Sequence, residues 1–194
     1  TRQALFLQRL RCTAGAVREV YSPDHAYRWI LIRAALQWRR GRYADGYGPS
    51  LCRAARRAKA ALLAPALRGI ASMDAPMLGG FSDTDVVLDF ISHSELPRLA
   101  ALGTSCPDHF LRTKISPMVL DTPADASVED VISRAHELHE KYRQTYAAYY
   151  KKYAKPESPA MRGADPLIIL VPGVGMFSYG KDKQTARVAG EFYI

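Results

Sequence analysis

The densest set of chemically capable side chains lies within seven residues. Asp108, His109, Arg112 and Lys114 place a carboxylate, an imidazole, a guanidinium and an ammonium beside Gly-Thr-Ser at 103–105. In an extended loop, the two cations stand two residues apart and project to the same side. Arginine offers a two-pronged donor to phosphate, so this loop could hold a phosphate or a sugar carboxylate. The alternative is structural: the aspartate caps the next turn and the cations pair with acids.

A second candidate is a glycine-rich turn that follows an apolar run. Gly173 and Gly175 stand as in a dinucleotide-binding loop, and Lys181 follows at the next turn. The full pattern needs a third glycine where Ser178 stands, and a helix that begins at the turn so that its amides face the pyrophosphate. The helix expected here begins only at Asp182. A hairpin whose glycines supply positive φ is therefore the competing interpretation.

Other patterns are not expected to carry chemistry. His136 and His139 lie three apart on a predicted helix, whereas the zinc-protease motif needs a spacing of four. Tyr179 and Lys183 match a dehydrogenase spacing, but Gly180 between them interrupts the continuous helix that this chemistry needs. The three cysteines lie far apart and form no zinc pattern or disulfide framework. The sequence thus predicts no catalytic residue and no metal ligand.

Alternating strands and helices must position these residues. Apolar runs predict strands at Val86–Ile91, Ile115–Asp121, Leu167–Val171 and Met176–Tyr179. For the first of these, the first turns of a helix are the alternative, because periodicity cannot decide so short a run. Helices are predicted at Leu51–Ile70 (kinked or broken at Pro65), Ser94–Leu102, Asp125–Tyr153 and from Asp182 onward. Residues 73–83 and 103–114 are expected to be loops. The predicted class is therefore α/β, with α+β as the alternative.

The clearest helix pattern covers residues 125–153. Ser127 and Asp130 form a variant of the capping box, with an acid at the third helical position. Apolar and aromatic residues then recur every three or four positions over seven turns. The tyrosines of this helix are expected to form a packing seam with polar tips rather than a stacking platform: Tyr142, Tyr146, Tyr149, Tyr150 and Tyr153.

The net charge of +8 divides unevenly along the chain. Residues 1–70 carry +11 and residues 71–194 carry −3. A basic segment with interleaved tryptophan and tyrosine could bind nucleic acid, with arginine on phosphates and rings on bases. The alternative for residues 1–50 is poorly specified sequence, either out of frame or closing an upstream domain. Such sequence would pack loosely and be cut first by protease, leaving residues 51–194 as one α/β domain.

Length and hydropathy bound the class of protein. A chain of 194 residues can fold as one domain without disulfides or metals. No apolar run approaches the roughly 18 residues of a membrane span, and no secretory signal is visible, so we expect a cytoplasmic protein. The chain starts at Thr1 and stops within an apolar-periodic run. We therefore expect a segment of a longer protein, truncated at its C-terminus.

Two stretches carry a family resemblance. Residues 103–121 contain P-D-H-x-x-x-T-K, and Pro166–Tyr193 contains P-G-x-G-x-x-x-x-G-K. With Leu63–Ser72 and Asp85–Phe90, the match covers about residues 50–194. This region resembles the middle segment of the bifunctional rhamnulose-phosphate aldolase/short-chain dehydrogenase family.

The resemblance implies a class II aldolase domain with zinc upstream and a dehydrogenase domain with NAD downstream, so neither cofactor is expected in this segment. It implies cleavage of a ketose phosphate to dihydroxyacetone phosphate and lactaldehyde, and oxidation of the aldehyde. The segment would be the non-catalytic connecting domain, an aldolase-like layer. Its expected partners are the flanking aldolase and dehydrogenase domains and a sugar phosphate, without a membrane. A nucleic-acid-binding module through residues 1–60 is the alternative, although we do not expect nucleic acid as the main partner.

Overall fold

The computed structural model describes residues 51–104 and 107–194. The predictions for residues 1–50 lie outside the described residues. The 108–114 segment and the glycine-rich turn lie within them.

Helices and strands alternate along the described chain. The helices are α1 (Arg53–Ile70), α2 (Asp85–Ile91), α3 (Leu96–Ala101), α4 (Pro107–Thr113), α5 (Val128–Tyr153) and α6 (Lys183–Tyr193). The strands are β1 (Leu78–Ser82), β2 (Met118–Val119), β3 (Ile168–Val171) and β4 (Gly175–Gly180). The predicted α/β class is confirmed.

The four strands form one mixed sheet in the order β1-β4-β3-β2. Strand β4 runs antiparallel to both β1 and β3, whereas β2 pairs parallel with β3. The β3–β4 connection is a tight turn. The parallel pair needs a crossover, and α5 supplies it because it lies between β2 and β3 in the chain.

Helices cover both faces of this sheet. Because side chains alternate along a strand, Ile169 and Val171 join one core cluster, and Ile168 and Leu170 join the other. The first cluster includes buried residues of α1 and α5, and the second includes residues of α2, α3 and α6. All of β3 and β4 is buried, as expected for strands covered on both sides.

The strand predicted at Val86–Ile91 is wrong and the helical alternative is confirmed, because these residues belong to α2. Val87 and Ile91 are both buried and lie four residues apart, which is helical spacing. Asp85 in the first turn suits the positive end of a helix. A run of six apolar-rich residues is too short for periodicity to separate the two structures.

The strand predicted at Ile115–Asp121 is shorter than expected, while the one at Leu167–Val171 is confirmed as β3. Only Met118–Val119 pairs with β3, and Pro117 immediately before it has no amide to donate to the ladder. Strand β1 falls in a region predicted as a loop. Its Gly79 and Gly80 are loop signals in sequence, but here they make room for Tyr179 and Ser178 of β4.

Candidate functional site

A partly buried polar cluster lies where α5 meets the segment that leads into β3. Ser127 begins this helix, since its hydroxyl accepts a hydrogen bond from the amide of Asp130 at 3.0 Å. Three turns later His139 faces inward and is 7% exposed. Its Nε2 lies 2.9 Å from Oδ1 of Asp165, which is 4% exposed. The helix thus carries an imidazole to a buried carboxylate.

Arg143, one turn after His139, joins two carboxylates. Its Nη1 and Nη2 donate to the two oxygens of Asp74 at 2.9 Å each, and Nη1 also donates to Asp165. The amides of Ala164 and Asp74 complete the network, donating to Asp74 at 2.6 Å and to Asp165 at 2.7 Å. The guanidinium, followed by the Ala164 amide, holds the pKa of the Asp74 carboxyl below its usual range.

Lys114 approaches the same cluster from another segment. Its backbone has a φ of 62°, a left-handed conformation that is uncommon for a residue with a side chain. Its Nζ donates to the carbonyl of Gly163 at 3.0 Å and lies 4.2 Å from the ring centre of Tyr146. Burial lowers the pKa of this amine to about 8, although the carboxylates of Asp165 and Asp74 act in the opposite direction.

These contacts join four segments that are distant in sequence. They are the loop after α1, the residue after α4, the middle of α5 and the approach to β3. The negative charges of the two aspartates balance the positive charges of Arg143 and Lys114. Each carboxylate oxygen already accepts a hydrogen bond, so the arrangement can hold these segments together.

The structure corrects the conformation predicted for the 108–114 segment. Residues 107–113 form helix α4 instead of an extended loop, so Arg112 and Lys114 are not aligned on one side. Asp108 and Arg112 are exposed, and the His109 ring packs edge-on against Phe192, with 5.4 Å between ring centres. The four predicted side chains are therefore not brought together. Anion binding by these residues stays a prediction without geometric support.

The glycine-rich turn is a packed hairpin. β4 begins at Gly175, and Lys181 follows its last residue, so the next helix begins eight residues after that glycine. Gly173 has a φ of 71°, and a Cβ there would lie 2.2 Å from the Cβ of Ala124. At Gly175 a Cβ would meet the ring of Phe81 at 2.6 Å. Protein atoms fill the space that a pyrophosphate would need, so these residues do not fit a dinucleotide.

The described residues also do not fit a zinc ion. No group of three or more His, Cys, Asp or Glu side chains suitable for a metal occurs among them. The strongest donor pair, His139 and Asp165, has the guanidinium of Arg143 in contact with the carboxylate, where it competes with any cation.

Sequence reasoning missed Asp74, Arg143 and Asp165. Asp74 and Asp165 are single charged residues in segments without a motif, and they meet Arg143 of α5 only through the fold. His139 was considered for a metal with His136, but His136 is exposed. One signal was available: His139 and Arg143 are four apart and follow the apolar stripe of α5.

The comparisons with known proteins agree with this architecture. A family profile described as "Aldolase class II, second domain" matches residues 58–194, from within α1 to the end of α6. The chain belongs to this family. In a separate comparison, the chain is 31% identical over 130 residues to the "Uncharacterized oxidoreductase YuxG" of Bacillus subtilis (strain 168).

This alignment covers 66% of the chain and 19% of the oxidoreductase, so the chain spans about a fifth of the length of that relative. No solved structure matches this aldolase second domain. Within residues 51–104 and 107–194, none of its helices combines the length and the apolar character needed to cross a membrane.

Proposed function

We propose that this chain is the connecting domain of a bifunctional sugar-catabolic polypeptide in the cytoplasm. One domain would be a zinc-dependent class II aldolase and another an NAD-dependent short-chain dehydrogenase. The polypeptide would cleave rhamnulose phosphate to dihydroxyacetone phosphate and lactaldehyde, then oxidise the aldehyde. Support comes from the second-domain family match and from a relative, named an oxidoreductase, that is about five times longer than the aligned region.

The observation that carries the non-catalytic role is the internal pairing of the charged groups in the polar cluster. The carboxylates of Asp74 and Asp165 are engaged by Arg143 and by backbone amides. A general acid or base must reach a substrate proton, and a metal ligand needs a free oxygen. Asp165 is 4% exposed, and every oxygen of the two carboxylates already accepts a hydrogen bond, which supports a brace between segments over a proton-transfer or metal site.

This assignment places the chemistry in other domains. Zinc would polarise the ketose and NAD would accept a hydride, and both groups would be held outside residues 51–194. The described residues would contribute by holding segments of the chain in place. His139, Arg143 and Lys114 hold the segments around α5 in one arrangement, and the two-sided core keeps that arrangement rigid.

The proposal is tested by comparing the 194-residue chain with the polypeptide encoded by its gene. Supplied with zinc and NAD, the chain should neither cleave rhamnulose 1-phosphate nor reduce NAD with lactaldehyde, whereas the complete polypeptide should do both. Lactaldehyde-dependent reduction of NAD by the chain alone would overturn the non-catalytic role.

A gene without a His-x-His aldolase core upstream and a glycine-rich strand-turn-helix downstream would overturn the bifunctional assignment. The connecting role is tested in the complete polypeptide with Arg143→Ala. This change should lower both activities together after mild heating, without altering the KM of either reaction at low temperature. The matched control is Arg187→Ala on α6, which removes an exposed ion pair to Glu191 and should change neither activity.

A further inference from the structure

Three arginines of α1 meet one carboxylate at the end of β1. Arg53, Arg56 and Arg57 have the spacing that places side chains on one face of a helix. Arg57 binds Asp83 through Nε at 3.1 Å and Nη2 at 3.0 Å. The nearest nitrogens of Arg53 and Arg56 stay 3.9 Å from the same carboxylate. Arg57 therefore takes the hydrogen bonds of Asp83, and the other two guanidiniums are left at a longer distance.

The cluster carries an unbalanced charge. In the described part of the chain, Asp83 is the one carboxylate that forms an ion pair with these three arginines, which leaves a surplus of two positive charges. The first turn of α1 contains no acidic residue, and the side chain of its N-cap Cys52 makes no capping hydrogen bond. Arginine keeps its proton at any physiological pH, and the positive end of the helix dipole adds to the same field.

The cluster combines one buried donor without a partner and two accessible guanidiniums. The side chain of Arg56 is 11% exposed. Its Nη1 donates to the carbonyl of Leu51 at 2.5 Å, but its buried Nε has no partner among the described residues. A buried donor without an acceptor is costly. Arg53 and Arg57 have side chains 71% and 54% exposed, so solvent and small solutes can reach them.

We propose that Arg53, Arg56 and Arg57 form a binding site for the phosphate group of a small phosphate ester. A phosphate monoester carries a charge of about −1.5 to −2 near pH 7, which matches the surplus of the cluster. Its oxygens can accept from several guanidiniums at once, and arginine presents paired donors to such oxygens. The site does not depend on the proposed connecting role.

The remaining basic residues of α1 favour a small ligand over a nucleic acid. A polynucleotide needs a track of cations along its backbone. Lys59, the next cation, donates to the carbonyls of Ala124 and Ala126 at 2.9 and 2.5 Å. Arg68 donates to the carbonyl of Met77 at 2.8 Å. On α1, the charge that is not engaged by backbone carbonyls is thus confined to one compact group at the start of the helix.

The first test is calorimetric titration of the 194-residue chain with inorganic phosphate at constant ionic strength. We expect saturable binding, and about tenfold weaker binding for Arg53→Ala, because a charge-assisted hydrogen bond is lost. The matched control is Arg98→Ala, another exposed arginine, which pairs with Glu95 at 2.5 Å on α3 and should bind phosphate like the wild type. Absence of saturable heat, or equal weakening in the two variants, would overturn the site.

The second test uses Asp83→Asn, which removes the carboxylate that competes with the ligand. A phosphate site predicts at least fivefold tighter phosphate binding in this variant, and a larger rise in Tm with phosphate than the wild type shows. A purely structural cluster predicts a variant of low Tm that phosphate does not restore, which would refute the proposal. If Asp83→Asn fails to fold, the comparison of Arg53→Ala with Arg98→Ala still decides.

Two further titrations distinguish a small phosphate ester from a nucleic acid as the ligand of this site. Glycerol 3-phosphate that binds at least as tightly as inorganic phosphate supports an ester as the ligand, whereas weaker binding of the ester contradicts it. A single-stranded oligonucleotide that binds more tightly than either, with an affinity that falls steeply with salt, would replace the small ester by a nucleic acid.

Discussion

Arg143 links two carboxylates that come from opposite ends of the described chain. Asp74 lies about 70 positions before Arg143 and Asp165 lies 22 after it, so a side chain that joins both must donate to two separate carboxylates. Arginine can do this because its planar guanidinium donates in several directions at once. Lysine presents a single charged point and could not bind both oxygens of Asp74.

Replacing this arginine should therefore destabilise the fold strongly. Arg143→Ala would leave the buried Asp165 without its guanidinium, and we expect a loss of about 2–4 kcal/mol in the free energy of unfolding. Urea denaturation followed by circular dichroism measures this loss. Arg187→Ala should cost less than about 0.5 kcal/mol, because exposed ion pairs contribute little. Similar losses in the two variants would show that the cluster is no stronger than a surface pair.

The buried amine of Lys114 gives the protein an unusual pH dependence. Its pKa is about 8 in the fold and 10.5 in its ordinary state. Between these values the unfolded chain keeps a proton that the folded chain has released, so stability rises with pH. Below about pH 8 both states hold the proton and this gain disappears.

Comparison with Lys114→Met isolates the effect of that amine. From about pH 7.5 to about pH 9.5 the wild type should gain stability relative to the variant, as measured by urea unfolding at each pH. The measurements stop at about pH 9.5, below the ordinary pKa of tyrosine. Burial raises the pKa of Tyr142, so at higher pH the titration of this tyrosine lowers stability and would oppose the effect of Lys114. Parallel stability curves for the two proteins would contradict the assignment.

At the scale of the element, the β3–β4 turn depends on a residue without a side chain. Gly173→Ala would force a Cβ into a left-handed conformation and against Ala124, so we expect a loss of about 2–4 kcal/mol. Gly69→Ala is the matched control, because nothing lies within 4 Å of a Cβ at that helical position. It should stabilise the chain by about 0.5–1 kcal/mol. Thermal unfolding distinguishes the two signs, and a tolerated Gly173→Ala would show that the turn is loosely packed.

The cap of α5 provides a second prediction for an element. Ser127→Ala removes the hydrogen bond to the Asp130 amide and should cost about 1 kcal/mol. Thr84 is the N-cap of α2, but its side chain makes no capping hydrogen bond, so Thr84→Ala should change stability by less than about 0.5 kcal/mol. Equal losses of stability in Ser127→Ala and Thr84→Ala would show that the Ser127 side chain does not stabilise the helix by capping.

Elements with long patterns could be predicted from the sequence, and short ones could not. Helix α5 has seven turns and a capping residue, and its predicted C-terminus at Tyr153 is confirmed. Helix α1 also runs as predicted, although Pro65 stays within it without ending it. Strand β1 was missed because Gly79 and Gly80 resemble a loop until Tyr179 and Ser178 occupy the space above them.

The polar cluster could not be predicted for a different reason. Its members stand in four segments, and no pair except His139 and Arg143 has a meaningful spacing. Local patterns describe neighbours in sequence, whereas Asp74 and Asp165 become neighbours only after the sheet has formed. The predicted 108–114 loop was wrong because residues 107–113 form a helix, which separates side chains that are close in sequence: Asp108 and Arg112 are exposed, and Lys114 joins the polar cluster.

At the scale of the whole molecule, one sheet divides the core into two. Ile169 belongs to the cluster beneath α1 and α5, and Leu170 belongs to the cluster on the opposite face. Both residues are on the same buried strand. Loss of packing on either face must therefore disturb the other.

This coupling predicts that the two cores unfold together. Ile169→Ala and Leu170→Ala should each lower the free energy of unfolding by about 2–5 kcal/mol. Each variant should still show one transition, with far-UV and near-UV circular dichroism coinciding. A second transition in either variant, with one face melting before the other, would show that the cores are independent.

The pairing of β3 also orders events in time. Its partner β4 follows after a three-residue turn, and a hairpin of this kind closes within microseconds. Its other partner, β2, lies about fifty residues earlier in the chain, with the whole of α5 between them. Closing that long segment carries a large entropic cost before any contact compensates for it, and distant pairings slow folding. The parallel seam between β2 and β3 is therefore expected to form last, after α5 has brought the two strands within reach of each other.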